Sequence, residues 1–370
     1  MSDNRFDAVL RAPAEQRFAA ELAALAARDH GPVPAGWRLS PRAVRTFILG
    51  DPAAGITRKF YGDDRLVERC IVTLMSDRGL LLVGEPGTAK SFLSELFSAA
   101  ISGTSQQVVQ GGVGTTEDKI AYTWNYALLI AEGPSERALV RAPLFQAMES
   151  GTLCRIEEIT RMQPEISDTL IGVLSDKVLH IPELSESQTA ATGLAARPGF
   201  NVIATANLRD RGVHDLSSAL KRRFNFETVA PITDRRQQAD LITAQTAALL
   251  RTAGVATALP PATVELLVDV FADLRSGSTA DGVTVSSPAA VLSAAEAVAV
   301  GYAAALDAHY FDDAPADGGH IARQLIGTVL KDNADDGPKL DHYFDIVVRR
   351  RAATEKTWAA ALSAHRESRR

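Results

Sequence analysis

A five-residue apolar run, Gly79-Leu80-Leu81-Leu82-Val83, leads directly into Gly84-Glu85-Pro86-Gly87-Thr88-Ala89-Lys90-Ser91. A helical stretch from Phe92 to about Ala100 follows. An apolar run without polar alternation suits a strand covered on both faces. Strand, glycine turn and helix in that order point to a layered α/β fold. The turn fits the pattern G-x-x-x-x-G-K-[ST], except that Ala89 replaces the second glycine. Backbone N–H groups of such a turn, and of the helix start, converge on an anion. Lys90 supplies a point charge to outer phosphates, and Ser91 offers a hydroxyl to Mg²⁺. Gly87 leaves room where the backbone turns tightly. Ala89 adds one methyl group, which the turn accepts if its dihedrals are right-handed helical.

More short apolar runs recur with helical segments between them: Gln107 to Val109, Leu153 to Ile156, Phe200 to Ala204 and Phe226 to Val229. This alternation predicts a mainly parallel sheet. Ahead of it, Ser40-Pro41 reads as an N-cap with proline in the first turn, and Asp64 to Met75 as a helix. Residues 5 to 29 read as an amphipathic helix. Beyond Pro231 the pattern becomes helical and rich in Ala, Leu and Val, which marks a domain boundary. The expected division is a helical segment over 1–50, an α/β core over 51–231, a helical domain over 232–345 and a tail over 346–370. A chain of 370 residues has room for this, with 46% hydrophobic and 23% charged residues.

Leu153-Cys154-Arg155-Ile156-Glu157-Glu158 is a strand ending in two carboxylates. Successive strand residues face opposite ways, so the two divide their work. One can hold Mg²⁺, and the other can polarise an attacking water. Glu157 stands where Asp is usual, so metal holding needs a recessed backbone or an intervening water. Phe200 to Asn207 is a strand with an amide at its tip, able to orient that water. The Lys221-Arg222-Arg223 run before Phe224 reads as an exposed charge run, a nucleic-acid patch, or an arginine finger for a neighbouring subunit.

In this order, GEPGTAKS (84–91), LCRIEEITR (153–161), FNVIATAN (200–207) and SALKRRF (218–224) resemble the MoxR family of AAA+ ATPases. The likeness spans roughly residues 55 to 300. It implies an AAA+ αβα P-loop core, an all-α lid and a ring, usually a hexamer. It also implies ATP and Mg²⁺ as cofactors. Lys90 and Ser91 match the Walker A lysine and hydroxyl, with Gly84 to Phe92 around the phosphates. Glu157, with Ser91, matches the metal-holding position, and Glu158 the base. Asn207 matches sensor 1. Arg223 matches the finger, with Arg222 as second candidate. The family commonly serves a von Willebrand factor A domain partner in a chaperone role. Gln110 to Ala142 would carry the family's insert. Lys177 to Ile181, closed by Pro198-Gly199-Phe200, resembles a hairpin that in related rings faces the pore or partner, with 184–198 as its flexible tip. His180 is expected to be a strand residue there. Phe60 to Gly62 would line the base pocket.

One departure is Ser287-Pro288-Ala289, where the family usually has Ser-Pro-Arg. Ser287 and Pro288 still suit a helix start, but Ala289 cannot touch phosphate; Arg222 is a possible substitute. A nucleotide-gated scaffold with weak hydrolysis is therefore the competing reading. A nucleic-acid motor is disfavoured by the net charge of −6. The last 22 residues carry seven basic and two acidic groups. They read as a solvated helix, or, with Trp358, as an arm docking on an acidic partner. Cys70 and Cys154 fit buried thiols in a reducing compartment. No signal peptide is expected from the chain start, and Ala289 to Leu306 suits a buried helix better than a membrane span. A cytoplasmic location is expected.

Overall fold

In a computed structural model the residues described are 11–184, 193–207, 213–289, 292–331, 333 and 335–369. The chain divides into two compact units. One comprises residues up to Glu85 together with Ala89–Val229; the other comprises Pro86–Thr88 and Ala230–Arg370.

The first unit is built on five strands: β1 (Gly79–Val83), β2 (Val108–Gln110), β3 (Leu153–Glu157), β4 (Asn201–Ala206) and β5 (Phe224–Thr228). They pair in the order β2-β3-β4-β1-β5. All four pairings are parallel. Each expected strand is present within two residues of its place. Side chains alternate between the two faces, as the pleat requires. Leu80, Leu82, Leu153 and Ile203 pack with helices Pro41–Leu49, Asp64–Met75 and Lys90–Ser102. Leu81, Val83, Cys154, Ile156 and Val202 pack on the other side, against residues of helices Pro143–Ser150 and Leu170–Asp176. Apolar residues are needed on both faces of the central strands, which is why β1 reads as an unbroken apolar run.

Ser40 caps its helix as expected, its Oγ accepting from Ala43 N at 3.2 Å. The segment expected as one helix over 5–29 is broken at Phe18 into Ala14–Arg17 and Ala19–Arg28; residues 5–10 lie outside the described ones. It joins the core of the first unit. Glu95, on the helix after the loop, receives Arg11, Arg17 and the Ala14 N–H. The insert forms the hairpin Tyr122–Trp124 with Leu139–Arg141 around helix Tyr126–Glu132. A second hairpin pairs Val178–His180 with Gly193–Ala195, so His180 is a strand residue. Of its expected flexible tip, 185–192 lies outside the described residues. Phe60 is buried in the core, and Tyr61 and Gly62 are half-buried. Both cysteines are free and buried. Burial pushes the Cys154 thiol up to about 12.

The second unit is helical: Arg235–Thr252, Pro261–Ser276, Ala294–Asp307, Gly318–Val329, Asp336–Tyr343 and Lys356–Glu367. Two expectations change here. The third helix is capped by Ser293, not Ser287, in a capping box with Glu296. The basic tail is no free arm, because Trp358 is 3% exposed within the helical core. Arg351 stacks over the Trp358 ring at 4.6 Å and pairs with Asp269 and Asp273. Arg349, Arg350 and Arg369 pair with Asp345, Asp281 and Asp341. Acidic partners within the chain thus take up four of the tail's seven basic groups. Among the described residues no helix is long and apolar enough to cross a membrane.

Trp358→Ala should therefore lower the stability of the helical unit by about 3–5 kcal/mol, read as a fall in the urea midpoint. A docking role on the surface predicts no change.

Candidate functional site

The site gathers at the carboxyl ends of β1, β3 and β4. Parallel pairing aligns these ends, where an open α/β sheet places its ligands. β1 ends at Val83 and the loop turns back into helix Lys90–Ser102. Gly87 has φ +74, within reach of glycine at little cost. Ala89 has φ +67 and ψ +23. This overturns the expectation of right-handed dihedrals. The methyl group is accommodated at a backbone strain of about 1–2 kcal/mol, the usual cost of a left-handed residue other than glycine. The reason is geometric: the residue before the lysine must turn the chain into the helix.

Lys90 is buried, and its Nζ donates to the carbonyls of Gly84 at 3.0 Å and Glu85 at 2.7 Å. It lies across the loop it is expected to serve. Beneath it sits Glu157, at the end of β3. Its Oε2 accepts from Ser91 Oγ at 2.5 Å and Thr205 Oγ1 at 2.8 Å. Its Oε1 accepts from Ser94 Oγ at 2.7 Å and Arg155 Nη2 at 2.8 Å. Burial alone pushes this carboxyl up, but the Arg155 guanidinium and the three hydroxyls outweigh it and hold the group below its ordinary value. Glu157 is ionised at neutral pH. The carboxylate reaches the Ser91 hydroxyl directly.

Glu158 stands just past the strand in a left-handed conformation, φ 56 and ψ 47. Thr205 links the acidic pair, because its Oγ1 also accepts the Glu158 N–H at 3.0 Å. The Glu158 carboxylate receives Asn207 Nδ2 at 3.0 Å and Arg161 Nε at 3.4 Å. Two of the four described residues other than glycine with positive φ, Ala89 and Glu158, are thus at this site. Sequence reasoning missed Arg155 and Thr205. Their signal was present: polar residues inside otherwise apolar strands, in register with the acidic pair.

Arg222 and Arg223 are not brought here. Gly79 pairs with Phe224, so both arginines lie at the amino ends of the strands. The loop leaves the carboxyl end of β1, about 13 Å away by a rise of about 3.3 Å per residue. Arg223 donates to Ser175 Oγ and to the Ala219 carbonyl, while Arg222 is exposed. Substitution by Arg222 for the missing lid arginine is ruled out within one subunit. Glu85, Pro86 and Thr88 lie in the turn between β1 and helix Lys90–Ser102, and Phe92 lies in the first turn of that helix. Among the described residues no cluster of three or more His, Cys, Asp or Glu forms a separate metal site. A hard-oxygen pair, Ser91 Oγ and an ionised Glu157, suits Mg²⁺.

A parallel sheet in this order, a loop with a buried lysine and an acidic pair beneath it define the class of AAA+ ATPase domains. The profile of the AAA domain (dynein-related subfamily) matches residues 79–224. That of the YehL-like AAA+ ATPase C-terminal domain matches residues 236–369. The uncharacterised protein YehL of Escherichia coli (strain K12) is 48% identical over 356 residues, 96% of each chain. The chain therefore belongs to the YehL-like family of AAA+ ATPases. An uncharacterised protein of Staphylococcus aureus (strain USA300) is 31% identical over 148 residues, covering 40% of this chain and 54% of its own. Among solved structures, a RuvB mutant of Thermotoga maritima aligns at TM-score 0.47 and 15% identity, covering 83% of this chain and 86% of its own. NtrX from Brucella abortus in complex with ADP aligns at TM-score 0.48 and 13% identity, covering 83% and 65%.

Ala89→Gly should relieve the left-handed strain and raise stability by about 0.5–1 kcal/mol, since glycine's own entropy cost offsets part of the gain. The check is the urea midpoint at constant m; a lower midpoint contradicts the assignment.

Proposed function

We propose that this chain binds ATP with Mg²⁺ on the Gly84–Ser91 loop and hydrolyses it within a ring of like subunits, to remodel a protein partner. The observation that carries the reading is the four-fold hydrogen bonding of Glu157, which joins the loop's own Ser91 to the sheet. Ser91 and Glu157 would hold Mg²⁺, which screens phosphate charge. Lys90 exchanges its loop carbonyls for phosphate oxygens. Glu158 takes the proton of the attacking water as its oxygen bonds to the terminal phosphorus and the bond to ADP breaks. Asn207 holds the Glu158 carboxylate in place.

The arginines support the ring. Arg222 and Arg223 lie a strand length from their own loop, so phosphate contact has to come from another copy. Head-to-tail contacts of that kind close into rings. A MoxR-like chaperone role in the cytoplasm, six subunits and a von Willebrand factor A domain partner are what the resemblance to the MoxR family implies, and they belong to the same proposal. Ala289 favours one rival, a scaffold that binds nucleotide and scarcely turns it over: its side chain offers no charge, and its N–H donates to Asp336.

Glu158→Gln separates the two. It should bind ATP normally and lose turnover by at least about 100-fold; if wild-type turnover is already as low, the scaffold reading stands. Lys90→Ala and Arg223→Ala, with Arg222→Ala in parallel, test the ring. Loss of a finger should cost about 10³–10⁵ in turnover. Mixing the Lys90 and Arg223 variants should restore activity, because intact loops then meet intact fingers. No recovery with either arginine variant rejects a finger acting between subunits.

A further inference from the structure

We propose that Arg155 is a positioning residue that allows a glutamate to serve as the metal-holding carboxylate, by fixing Glu157 against the first turn of the phosphate helix. The inference rests on the nucleotide–Mg²⁺ reading above. Arg155 is a charged residue inside an apolar strand and is only 9% exposed. It stands two residues before Glu157, so both side chains share one face of β3.

Its guanidinium is spent on four acceptors. Nε donates to Ser94 Oγ at 3.0 Å, and Nη1 to the Ser105 carbonyl at 3.0 Å. Nη2 donates both to the Ser91 carbonyl at 3.1 Å and to Glu157 Oε1 at 2.8 Å. One nitrogen therefore bridges the two residues that would hold the metal. Ser94 is shared as well, donating to Glu157 Oε1 while accepting from Arg155. The planar fork sets the spacing between helix and strand in a way that a single ammonium cannot.

A glutamate has one more rotatable bond than an aspartate, and its carboxylate must be held where the shorter side chain would need less restraint. A buried ion pair adds little net stability, because desolvation offsets much of the attraction. What the pair contributes is geometry. In metal sites, groups behind the ligand commonly set affinity in this way.

The test measures binding, not turnover. A fluorescent ATP analogue is titrated in EDTA, then at rising MgCl₂, with wild type, Arg155→Met, Arg155→Lys, Glu157→Gln and the Arg155→Met/Glu157→Gln double variant. Arg155→Met should raise the half-saturating MgCl₂ concentration about 10-fold or more, as loss of a supporting partner does. Its affinity in EDTA should stay within about twofold of wild type, a change equivalent to a lost surface contact. The double variant should match Glu157→Gln alone, because Arg155 acts through that carboxylate.

Unchanged Mg²⁺ dependence in Arg155→Met overturns the proposal. So does a parallel loss of both affinities, which is the mark of a merely structural residue, or an additive double variant. If Arg155→Met does not fold, Arg155→Lys decides: a rise of about threefold or more supports the proposal, in line with loss of the bidentate fork, and wild-type behaviour overturns it. Wild-type protein that binds no analogue sinks the parent reading and this one with it. Wild-type binding with unaltered variants sinks this one alone.

Discussion

A buried, ionised carboxylate has to be surrounded by donors, or it takes up a proton. Glu157 meets that constraint with three hydroxyls and one guanidinium, drawn from the phosphate helix, β3 and β4. These are the elements that must stay in register for a loop after β1 to face an acidic strand end. The same contacts that keep the charge therefore also hold the site together. Thr205 extends the node to the second acid through the Glu158 N–H. Its hydroxyl is thus committed on both sides, which fixes the relative placement of the two carboxylates.

Strain collects at this node. The chain has to enter a helix immediately after a tight loop, and it has to leave a strand immediately after Glu157. Ala89 and Glu158 absorb these two turns in left-handed conformations. Glycine would absorb either with less strain, but it supplies no carboxylate at 158. At 89 no comparable reason is visible, since a methyl group brings no chemistry.

Much of the fold was legible because buried parallel strands leave largely apolar runs, clearest in β1, where all five residues are apolar or glycine and buried. The phosphate loop and acidic pair were legible from spacing. What could not be read came from tertiary context. Ala89 gives no sequence sign of its dihedral, because alanine favours right-handed helix everywhere else. Ser287-Pro288 is a good local helix start, yet Ser293 wins, with Glu296 three residues on closing a capping box. The tail was legible as a helix, but its ion pairs were not, because the acidic partners Asp269, Asp273, Asp281, Asp341 and Asp345 are scattered through the sequence of the helical unit. Trp358, the one feature that favoured a docking arm, has its ring in the core and carries Arg351 on its face. Arg155 was not singled out in the sequence, and it is buried against Glu157.

The central claim is that the turn between Val83 and Phe92 grips the phosphates of a nucleotide, over a floor set by Glu157. An experimental structure with Mg²⁺ and a nonhydrolysable ATP analogue tests it most directly. The account predicts phosphate oxygens on the loop N–H groups, Lys90 Nζ moved from the Gly84 and Glu85 carbonyls onto phosphate, and the Arg155–Glu157 contact intact. A loop that stays closed on its own lysine while the analogue binds elsewhere would contradict it.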